Sequence, residues 1–405
     1  MAPAVPAERL ELAASCLFGL EGPLANELRH MGMEDVAPEN GRVRFKTDKA
    51  GIARANLRSR FAERILLLLG SFRAGSFDEL FEGVRALPLE DWLGRDAAFP
   101  VEGWSVDSAL HSVPDCQRII KKAAAVRLGS RYALAHMPET GAEHKIRFSI
   151  LKDECRIYLD TSGTALHKRG YRANSNAAPL RETLAAAMVK LARWRGREPF
   201  LDPFCGSGTI PVEAALIGTD TAPGIRRNFS FESFSSAPPV IASVRDEAEQ
   251  LIKRDAALRI RGGDIDPAAL KLAREHAARA GMDKYIHFQT QDVKDLSSRF
   301  SHGVIVTNPP YGERLMNGAE LGALYGEFGR AFARLDEWSA YVITSSPSFE
   351  KYFGRKADRV RTLYNSELEC RFYRFLGAPP KNRAETADAA AHSAEKDNKY
   401  NEEKK

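Results

Sequence analysis

The sequence has few cysteines, no cysteine pair and no long apolar run. Its 405 residues include five cysteines, and none belongs to a CxxC pair, so neither a disulfide scaffold nor a zinc knuckle is predicted. The longest strongly apolar run, residues 65–69, is far shorter than the ~20 residues that span a bilayer. The amino terminus has no basic start followed by an apolar stretch, which argues against a signal peptide. We therefore expect a cytoplasmic protein with no membrane partner and no metal.

Charge is modest overall but unevenly distributed. The net charge is +5, yet residues 166–198 hold eight lysines and arginines and few acids. A second basic stretch, residues 115–131, predicts a helix on which Arg118 and Lys122 share a face. Together these stretches suggest a track for nucleic-acid phosphates, although a solvated helix face would have the same charge. The basic residues of residues 166–198 are Lys168, Arg169, Arg172, Arg181, Lys190, Arg193, Arg195 and Arg197.

The amino-terminal 165 residues mix the two kinds of secondary structure. Alternating and helical apolar spacing predicts an α+β region there. The predicted strands are 10–18, 41–45, 99–106 and two within 144–159, and the predicted helices are 22–31, 52–69, 76–87 and 115–128.

From residue 199 to about 377 the pattern alternates strand and helix, which predicts parallel strands joined by crossover helices in a doubly wound sheet. An antiparallel hairpin is predicted near the end, at 361–365 and 368–375. An insertion, residues 219–257, separates the first two strands, and the tail 378–405 is too poor in large apolar residues to fold. The predicted strands are 200–204, 259–265, 285–289, 304–307 and 339–344, with helices at 210–216 and 267–280.

A glycine turn follows the first strand of this region. The segment is Asp202-Pro203-Phe204-Cys205-Gly206-Ser207-Gly208-Thr209, and it does not match the GxGxxG pattern of dinucleotide sites. An acid followed by a tight glycine turn at a helix start suits a ligand with both an ammonium and a carboxylate. Asp202 would hold the ammonium, directly or through water, and the amides of Gly206 and Gly208 would face the carboxylate. This describes the methionine end of S-adenosylmethionine, although a plain strand-to-helix turn also needs glycines.

Acids also end the second and third strands. Asp264, followed by Ile265, is placed to bind ribose hydroxyls, whereas Asp266 is equally well explained as the cap of the next helix. Asp292, followed by Val293, could accept a hydrogen bond from an adenine amino group. These positions complete the predicted cofactor site.

The fourth strand ends in Asn308-Pro309-Pro310-Tyr311, the most specific motif of the chain. Consecutive prolines lock a turn, so that the Asn308 side chain and the Pro309 carbonyl can accept both N–H groups of one amine. An exocyclic base amine held in this way directs its lone pair at the sulfonium methyl, and catalysis is then mainly positioning. Tyr311 can stack on the base. Cys205 and Cys370 are expected to be inert buried thiols rather than nucleophiles.

The carboxyl-terminal half resembles the N2-guanine RNA methyltransferases in DPFCGSGT, NPPYGERL and AAPLRETLAAAM. The amino-terminal half resembles the THUMP RNA-binding module with its ferredoxin-like leader, in CLFGLEGPLANELRHMG, GRVRFKTD and LHKRGYR. The combination resembles the bacterial 23S rRNA guanine-N2 methyltransferases, in the form without a second fused methyltransferase domain.

The resemblance implies a set of domains. They are a ferredoxin-like subdomain (1–60), a THUMP domain (61–165), a basic linker with a cofactor-covering helix (166–198), a Rossmann-like class I methyltransferase domain (199–377) and a disordered tail (378–405). Leu180, Arg181 and Thr183 are candidates for the cofactor-facing side of that helix.

The resemblance also implies RNA, most specifically 23S rRNA, as the partner, S-adenosylmethionine as the cofactor and N2 of guanine as the target. Adenine-N6 methylation remains an alternative because those enzymes share NPPY, and so does a non-catalytic RNA-binding assembly factor. The candidate RNA-binding residues are Arg118, Lys121, Lys122, Lys168, Arg169, Tyr171 and Arg172.

Overall fold

A computed structural model describes residues 9–172, 180–235, 240–311, 318–335 and 337–378. The chain divides into two compact units, one formed by residues 1–187 with 220–254, the other by residues 188–219 with 255–405. The predicted disordered tail, apart from its first residue, lies outside the described residues, as do residues 178 and 179 of the predicted cofactor-covering helix. No helix in the described ranges combines the length and apolar character that a bilayer crossing requires.

The first unit is built on a seven-stranded sheet with the order β2-β3-β1-β4-β7-β6-β5. Neighbours in it are antiparallel apart from the parallel pair β5–β6. The central strand β4 pairs with β1 on one side and with β7 on the other, so it joins both halves of the sheet. The strands are β1 (Leu10–Cys16), β2 (Glu34–Glu39), β3 (Arg42–Thr47), β4 (Ala62–Arg73), β5 (Val101–Val106), β6 (Ile146–Leu151) and β7 (Glu154–Asp160).

Helices of this unit begin where local chemistry favours them. Asp48 caps α2 by accepting from the Gly51 amide, and Ser76 and Glu79 form a capping box at the start of α3, as such residue types do at helix starts. The helices are α1 (Glu21–His30), α2 (Lys49–Arg58), α3 (Phe77–Arg85), α4 (Val113–Tyr132) and α5 (Glu182–Leu191), the last of which runs across the unit boundary at residue 187.

The predicted helix over residues 52–69 is wrong beyond residue 58. The helix α2 ends at Arg58, and the leucine-rich run that follows is the strand β4. Leucine favours helices in isolation, but pairing on both sides and burial of Ile65 and Leu67 override that propensity. The edge strand β2 was not predicted, because EDVAPE has no apolar alternation.

The insertion between the first two strands of the second unit groups with the first unit. After α6 (Thr209–Gly218) of the second unit, residues 220–254 carry α7 (Val240–Gln250). This helix buries Val244 and Ala248 and contacts α2. The segment therefore belongs structurally to the unit formed by residues 1–187, although residues 188–219 of the other unit precede it.

The second unit contains a sheet with the order β10-β9-β8-β11-β12-β14-β13. Strands β8 to β12 run parallel to their neighbours, and β14 lies antiparallel between β12 and β13. The predicted doubly wound sheet with an antiparallel hairpin is confirmed. The strands are β8 (Phe200–Asp202), β9 (Ile260–Asp264), β10 (Ile286–Thr290), β11 (Val304–Thr307), β12 (Ser339–Thr344), β13 (Arg359–Asn365) and β14 (Leu368–Phe375).

An aromatic core fixes two helices against this sheet, α9 (Gly318–Ala333) and α10 (Phe349–Phe353). The helix α8 (Pro267–Ala280) joins β9 to β10. Phe328 of α9 lies 5.2 Å, centroid to centroid, from Phe353 of α10, which in turn lies 4.6 Å from Phe375 of β14. Such pairs add to the free energy gained by burial.

The strand order places the functional site. The strand β8 pairs with β9, which follows it in sequence, along one of its edges and with β11 along the other. The strand order therefore reverses direction at β8. Ligands of doubly wound sheets bind beyond the carboxyl ends of the strands at such a switch point. The turns after β8, β9, β10 and β11 meet at that edge.

Two glycines of α9 give a test of the α9–α10 packing. A Cβ at Gly329 would lie 1.9 Å from the Phe353 carbonyl oxygen, whereas at Gly326 the nearest atom would be 3.4 Å away. We expect Gly326→Ala to stabilise the protein by up to ~1 kcal/mol through helix propensity, and Gly329→Ala to destabilise it by about 1–3 kcal/mol through overpacking. Urea unfolding measures both variants, and equal effects of the two substitutions would contradict the described packing.

Candidate active site

The glycine turn after β8 is held tightly against α8. Gly206 and Gly208 have φ values of +49° and +83°, and Gly208 precedes the start of α6. A Cβ at Gly208 would lie 2.9 Å from the Ala273 Cβ, so glycine is needed there for both backbone conformation and close helix packing. The space beside Gly206 is open to 4 Å.

The two glycine amides that were predicted to face the methionine carboxylate have acceptors within the protein. The Gly206 amide donates to Asp264 Oδ2 at 2.8 Å, and the Gly208 amide donates to the Cys205 carbonyl at 2.8 Å. Both therefore have acceptors within the protein and are not directed at a ligand. Their bonds instead shape the turn and connect it to the end of β9.

Asp202 links the end of β8 to the end of β11. Its Oδ1 accepts from the Thr307 hydroxyl at 2.6 Å and from the Phe204 amide at 3.2 Å. The side chain is buried, and this burial, with a smaller contribution from the Asp264 charge, raises the pKa of Asp202 to about 7. A buried carboxylate near neutrality responds strongly to an added cation, which fits the ammonium-binding role predicted for Asp202.

The two acids at the end of β9, Asp264 and Asp266, have different roles. Asp266 caps α8 by accepting from the Ala268 amide at 2.8 Å. Asp264 stands at the strand end and accepts from the amides of Gly206 and Asp266, which leaves further lone pairs for ligand hydroxyls. Ile265 is 68% exposed and presents apolar surface next to that carboxylate.

The two residues predicted after β10 have different environments. Asp292 is partly exposed and pairs with the Lys294 ammonium at 2.9 Å, and this bond lowers the pKa of Asp292. Val293 is buried in the core cluster that also contains Phe328 and Trp338. The Asp292 carboxylate therefore faces outward, while the Val293 side chain supports the core.

The Asn308-Pro309-Pro310-Tyr311 turn follows β11 and is braced from two sides. The Tyr325 hydroxyl of α9 donates to the Pro310 carbonyl at 2.7 Å, and the Asn365 amide nitrogen donates to the Tyr311 hydroxyl at 3.2 Å. Burial raises the pKa of Tyr311 to about 12, so the phenol stays neutral. The buried Asn308 Oδ1 has no hydrogen-bond partner among the described residues.

Some residues that support these turns were not predicted from the sequence. Thr307 bonds Asp202, Tyr325 bonds Pro310, and His276 of α8 bonds the Ser207 carbonyl through Nδ1 at 2.9 Å. A carbonyl only accepts, so His276 Nδ1 carries the proton. Thr307 directly precedes the motif and could have been found; His276 has no distinguishing signal in sequence.

Cys205 and Cys370, which were expected to be inert thiols, are both buried, and burial is the main cause of the raised pKa of each thiol. Thiol chemistry needs the thiolate, so the expectation of inert thiols is consistent with their surroundings. Within the described ranges, no group of three or more His, Cys, Asp or Glu side chains is arranged to hold a metal ion.

The predicted RNA-binding residues fall into two groups. Arg118, Lys122 and Lys168 are exposed, and Lys121 is half-buried between Glu139 and the Phe99 ring. The other three predicted residues are held inside the protein, which argues against their contact with RNA. Arg169 donates to the carbonyls of Leu166 and Arg60, Arg172 donates to the carbonyl of Leu180 and pairs with Glu182, and Tyr171 is only 4% exposed.

Thr183 belongs to the part of α5 that groups with the first unit. Its hydroxyl donates to Glu63, which also accepts from Arg181 at 3.0 Å and contacts His167 at 2.7 Å. Hydrogen bonding and these cations lower the pKa of Glu63 against the opposing effect of its burial. The role of Thr183 at the cofactor remains a prediction.

The strand order, the antiparallel β14, and the acids and glycine turn at the switch point together define a class I methyltransferase. The comparisons with known proteins agree. Residues 169–374 match the RMKL-like methyltransferase domain (UPF0020), residues 11–66 the RlmL ferredoxin-like domain and residues 74–160 the THUMP domain. The chain belongs to this RMKL-like methyltransferase family, and its cofactor is S-adenosylmethionine.

Curated relatives match most of this chain. The chain is 43% identical over 385 residues to "Putative RNA methyltransferase YpsC" of Bacillus subtilis, covering 94% of this chain and 100% of that protein. It is 36% identical over 372 residues to ribosomal RNA large subunit methyltransferase K/L of Allochromatium vinosum, covering 88% of this chain. The chain spans about half the length of such K/L relatives, 50% in that case.

Solved structures show the same fold. A Listeria monocytogenes protein described as a "predicted N6-adenine-specific DNA methylase" is 46% identical with a TM-score of 0.87, covering 92% of this chain and 97% of its own. SMU.472, in a complex with S-adenosylhomocysteine (SAH), is 40% identical with a TM-score of 0.88, covering 92% of this chain and 100% of its own.

The raised pKa of Asp202 gives a test that depends on pH. Because its folded-state pKa of about 7 lies above the ordinary 3.8, the folded state binds that proton more tightly, and ionisation destabilises the fold. This destabilisation is absent well below pH 4, grows as the pH rises to about 7 and is constant above it. We expect Asp202→Asn to be more thermostable than the wild type at pH 8 but not at pH 4, and to bind SAH more weakly.

Thermal unfolding across this pH range and calorimetric SAH titration measure the two effects of Asp202→Asn. Asp266→Asn is the matched control, since it is an exposed helix cap at the neighbouring strand end. A stability difference for Asp202→Asn that is the same at pH 4 and pH 8 would contradict the buried, proton-binding carboxylate.

Proposed function

We propose that the chain transfers a methyl group from S-adenosylmethionine to the exocyclic N2 amino group of a guanine in large-subunit ribosomal RNA. The observation that carries this proposal is the buried Asn308 Oδ1, which lacks a partner at the strand end next to Asp202. An unpaired buried acceptor costs about 1–3 kcal/mol, and an amine donor from a substrate would satisfy it.

The residues at the strand ends fit the cofactor. Acids follow three adjacent strands, at Asp202, Asp264 and Asp292, and the exposed side chain of Ile265 offers an apolar surface for a flat ring. S-adenosylmethionine, when bound, supplies an electrophilic methyl group on a sulfonium. The carboxylates suit an ammonium, ribose hydroxyls and an adenine amino group respectively, which are all donors or cations.

Asn308 and the proline turn orient the target amine. The nitrogen lone pair of an exocyclic amine is delocalised into the base, so the amine is a weak nucleophile. Acceptors on its N–H groups, from the Asn308 side chain and the Pro309 carbonyl, favour a tetrahedral nitrogen with its lone pair free. The bond from Tyr325 to Pro310 preorganises this turn, which is the main source of rate in such a mechanism. Tyr311 supplies a neutral ring for stacking.

The RNA part of the proposal is supported by the THUMP match and by the names of the relatives. In the first unit, Arg118 and Lys122 lie one turn apart on α4 and are exposed. Exposed cations at this spacing suit successive phosphates. The K/L relatives are named for large-subunit ribosomal RNA. Their names suggest large-subunit ribosomal RNA as the substrate of this chain.

Adenine-N6 methylation is the competing function, because a solved relative is described as an N6-adenine-specific DNA methylase. The Asn308 turn suits either amine. Nucleoside analysis of the methylated product separates the two functions: N2-methylguanosine supports the proposal, and N6-methyladenine in RNA or DNA supports the alternative. A protein that binds RNA without transferring a methyl group would yield neither product.

Removal of the Asn308 acceptor tests the catalytic assignment. We expect Asn308→Ala to lower kcat by about 100- to 1000-fold, as the loss of one preorganised hydrogen-bonding group does elsewhere, with a much smaller effect on SAH affinity. The measurement is transfer of a tritiated methyl group to large-subunit RNA that lacks the modification. Asn26→Ala, at an exposed position of α1, is the control, and full activity of Asn308→Ala would refute the assignment.

The basic face of α4 gives a separate test of RNA binding. We expect the double variant Arg118→Ala/Lys122→Ala to bind RNA more weakly and to reduce the slope of log affinity against log salt by about 2, roughly one per lost phosphate contact. Lys271→Ala, an exposed lysine of α8, should leave the slope unchanged. Equal slopes for the double variant and the wild type would show that this face does not contact phosphates.

A further inference from the structure

A second buried amide oxygen lies close to the catalytic turn. Among the described residues, the buried side-chain amide oxygens without a hydrogen-bond partner are Asn308 Oδ1 and Asn365 Oδ1. Asn308 begins the turn that Tyr311 ends, and the Asn365 nitrogen donates to the Tyr311 hydroxyl at 3.2 Å. An unsatisfied buried acceptor lowers stability, so one such oxygen in the turn and another in a residue bonded to it point to a shared ligand.

The hairpin fixes where Asn365 stands. Asn365 is the last residue of β13 and is paired with Leu368 at the hairpin turn, and β14 joins the hairpin to β12. The Asn365 amide thereby sits at the hydroxyl end of the Tyr311 ring, and Cys370 of β14 lies beside the same hydroxyl. A base whose amine is held by Asn308, as proposed above, and whose ring stacks on Tyr311 could reach Asn365 with another atom of the same edge.

Guanine and adenine differ in the atom beside the amine. In guanine, the ring atom next to the N2 amine on the Watson–Crick edge is N1, which carries a hydrogen and donates. In adenine, the ring atom N1 next to the N6 amine has a lone pair and accepts. An acceptor oxygen placed beside the Asn308 site therefore complements guanine and opposes adenine, because two facing acceptors remain unpaired.

We propose that Asn365 is a specificity-determining residue whose Oδ1 accepts the N1–H of the target guanine while the base lies on Tyr311. This inference rests on the proposed guanine-N2 function and adds the basis of its base selection. The Asn365 nitrogen remains bonded to the Tyr311 hydroxyl, so one amide orients the stacking ring and reads the base edge together.

The test uses RNA fragments with either guanine or 2-aminopurine at the nucleotide that the wild-type protein methylates in large-subunit RNA. 2-Aminopurine keeps the amine at C2 but has an acceptor at N1. The quantity measured is the ratio of kcat/KM for the guanine fragment to that for the 2-aminopurine fragment. We expect Asn365→Leu to lower the guanine value by about 10- to 100-fold, as the loss of one base-reading hydrogen bond does, and to change the 2-aminopurine value much less.

Two further variants separate base reading from positioning of Tyr311. Asn365→Asp keeps an acceptor for N1–H and can accept from the Tyr311 hydroxyl, so it should preserve the preference for guanine. Tyr311→Phe removes the bond to Asn365 but leaves its amide in place, so the preference should persist whatever the rate. SAH affinity and the thermal midpoint of each variant show whether the methyltransferase unit stays folded.

The outcomes are distinct. A fall of the ratio in Asn365→Leu, with the ratio kept in Asn365→Asp and Tyr311→Phe, supports the proposal. An equal fall on both fragments in Asn365→Leu, or the same loss of ratio in Tyr311→Phe, overturns it and leaves guanine-N2 methylation standing. A wild-type product other than N2-methylguanosine overturns the proposed function, and the role of Asn365 with it.

Discussion

The hydrogen bond from Thr307 to Asp202 is the constraint on which the site depends. It joins the end of β11 to the end of β8 at 2.6 Å, and the glycine turn follows β8 while the Asn308-Pro309-Pro310-Tyr311 turn follows β11. A buried carboxylate is costly to ionise, and the pKa of Asp202 is therefore raised to about 7. This carboxyl group lies where the ammonium of the cofactor is expected. The proposed cofactor site and the proposed catalytic turn are thereby connected through one side chain.

The first unit uses its arginines mainly for internal structure. Arg169 and Arg227 donate to backbone carbonyls of residues 59–60 and 164–168, so the segment that follows β7 is held by one of its own arginines and by one from residues 220–254. A guanidinium has five donors in a fixed plane, which suits several carbonyls in an irregular segment. Charge density in the sequence therefore overstates the cationic surface that is exposed to RNA.

Much of the second unit was predictable from sequence because its signals are local. The strand β11 and the motif Asn308 to Tyr311 follow one another directly, and the Asp266 cap and the Gly281 end of α8 agree with the structure. The structure differs from the predictions where residues that are distant in sequence determine the local conformation. The strand β4 becomes a strand through β1 and β7, and the internal acceptors of the Gly206 and Gly208 amides depend on folded geometry. The buried role of Arg169 likewise follows from carbonyls more than a hundred residues away in sequence.

The segment 220–254 has a consequence for how this protein can be divided. Because it groups with the first unit while the residues on both sides of it belong to the second, the polypeptide passes between the units three times. Arg245 of α7 is bonded to carbonyls of residues 225 and 227 and to Glu232, and the helix packs on α2. Neither unit can be cut out as an unbroken piece of chain, and an exchange of residues 188–405 between related proteins would carry residues 220–254 of the first unit with it.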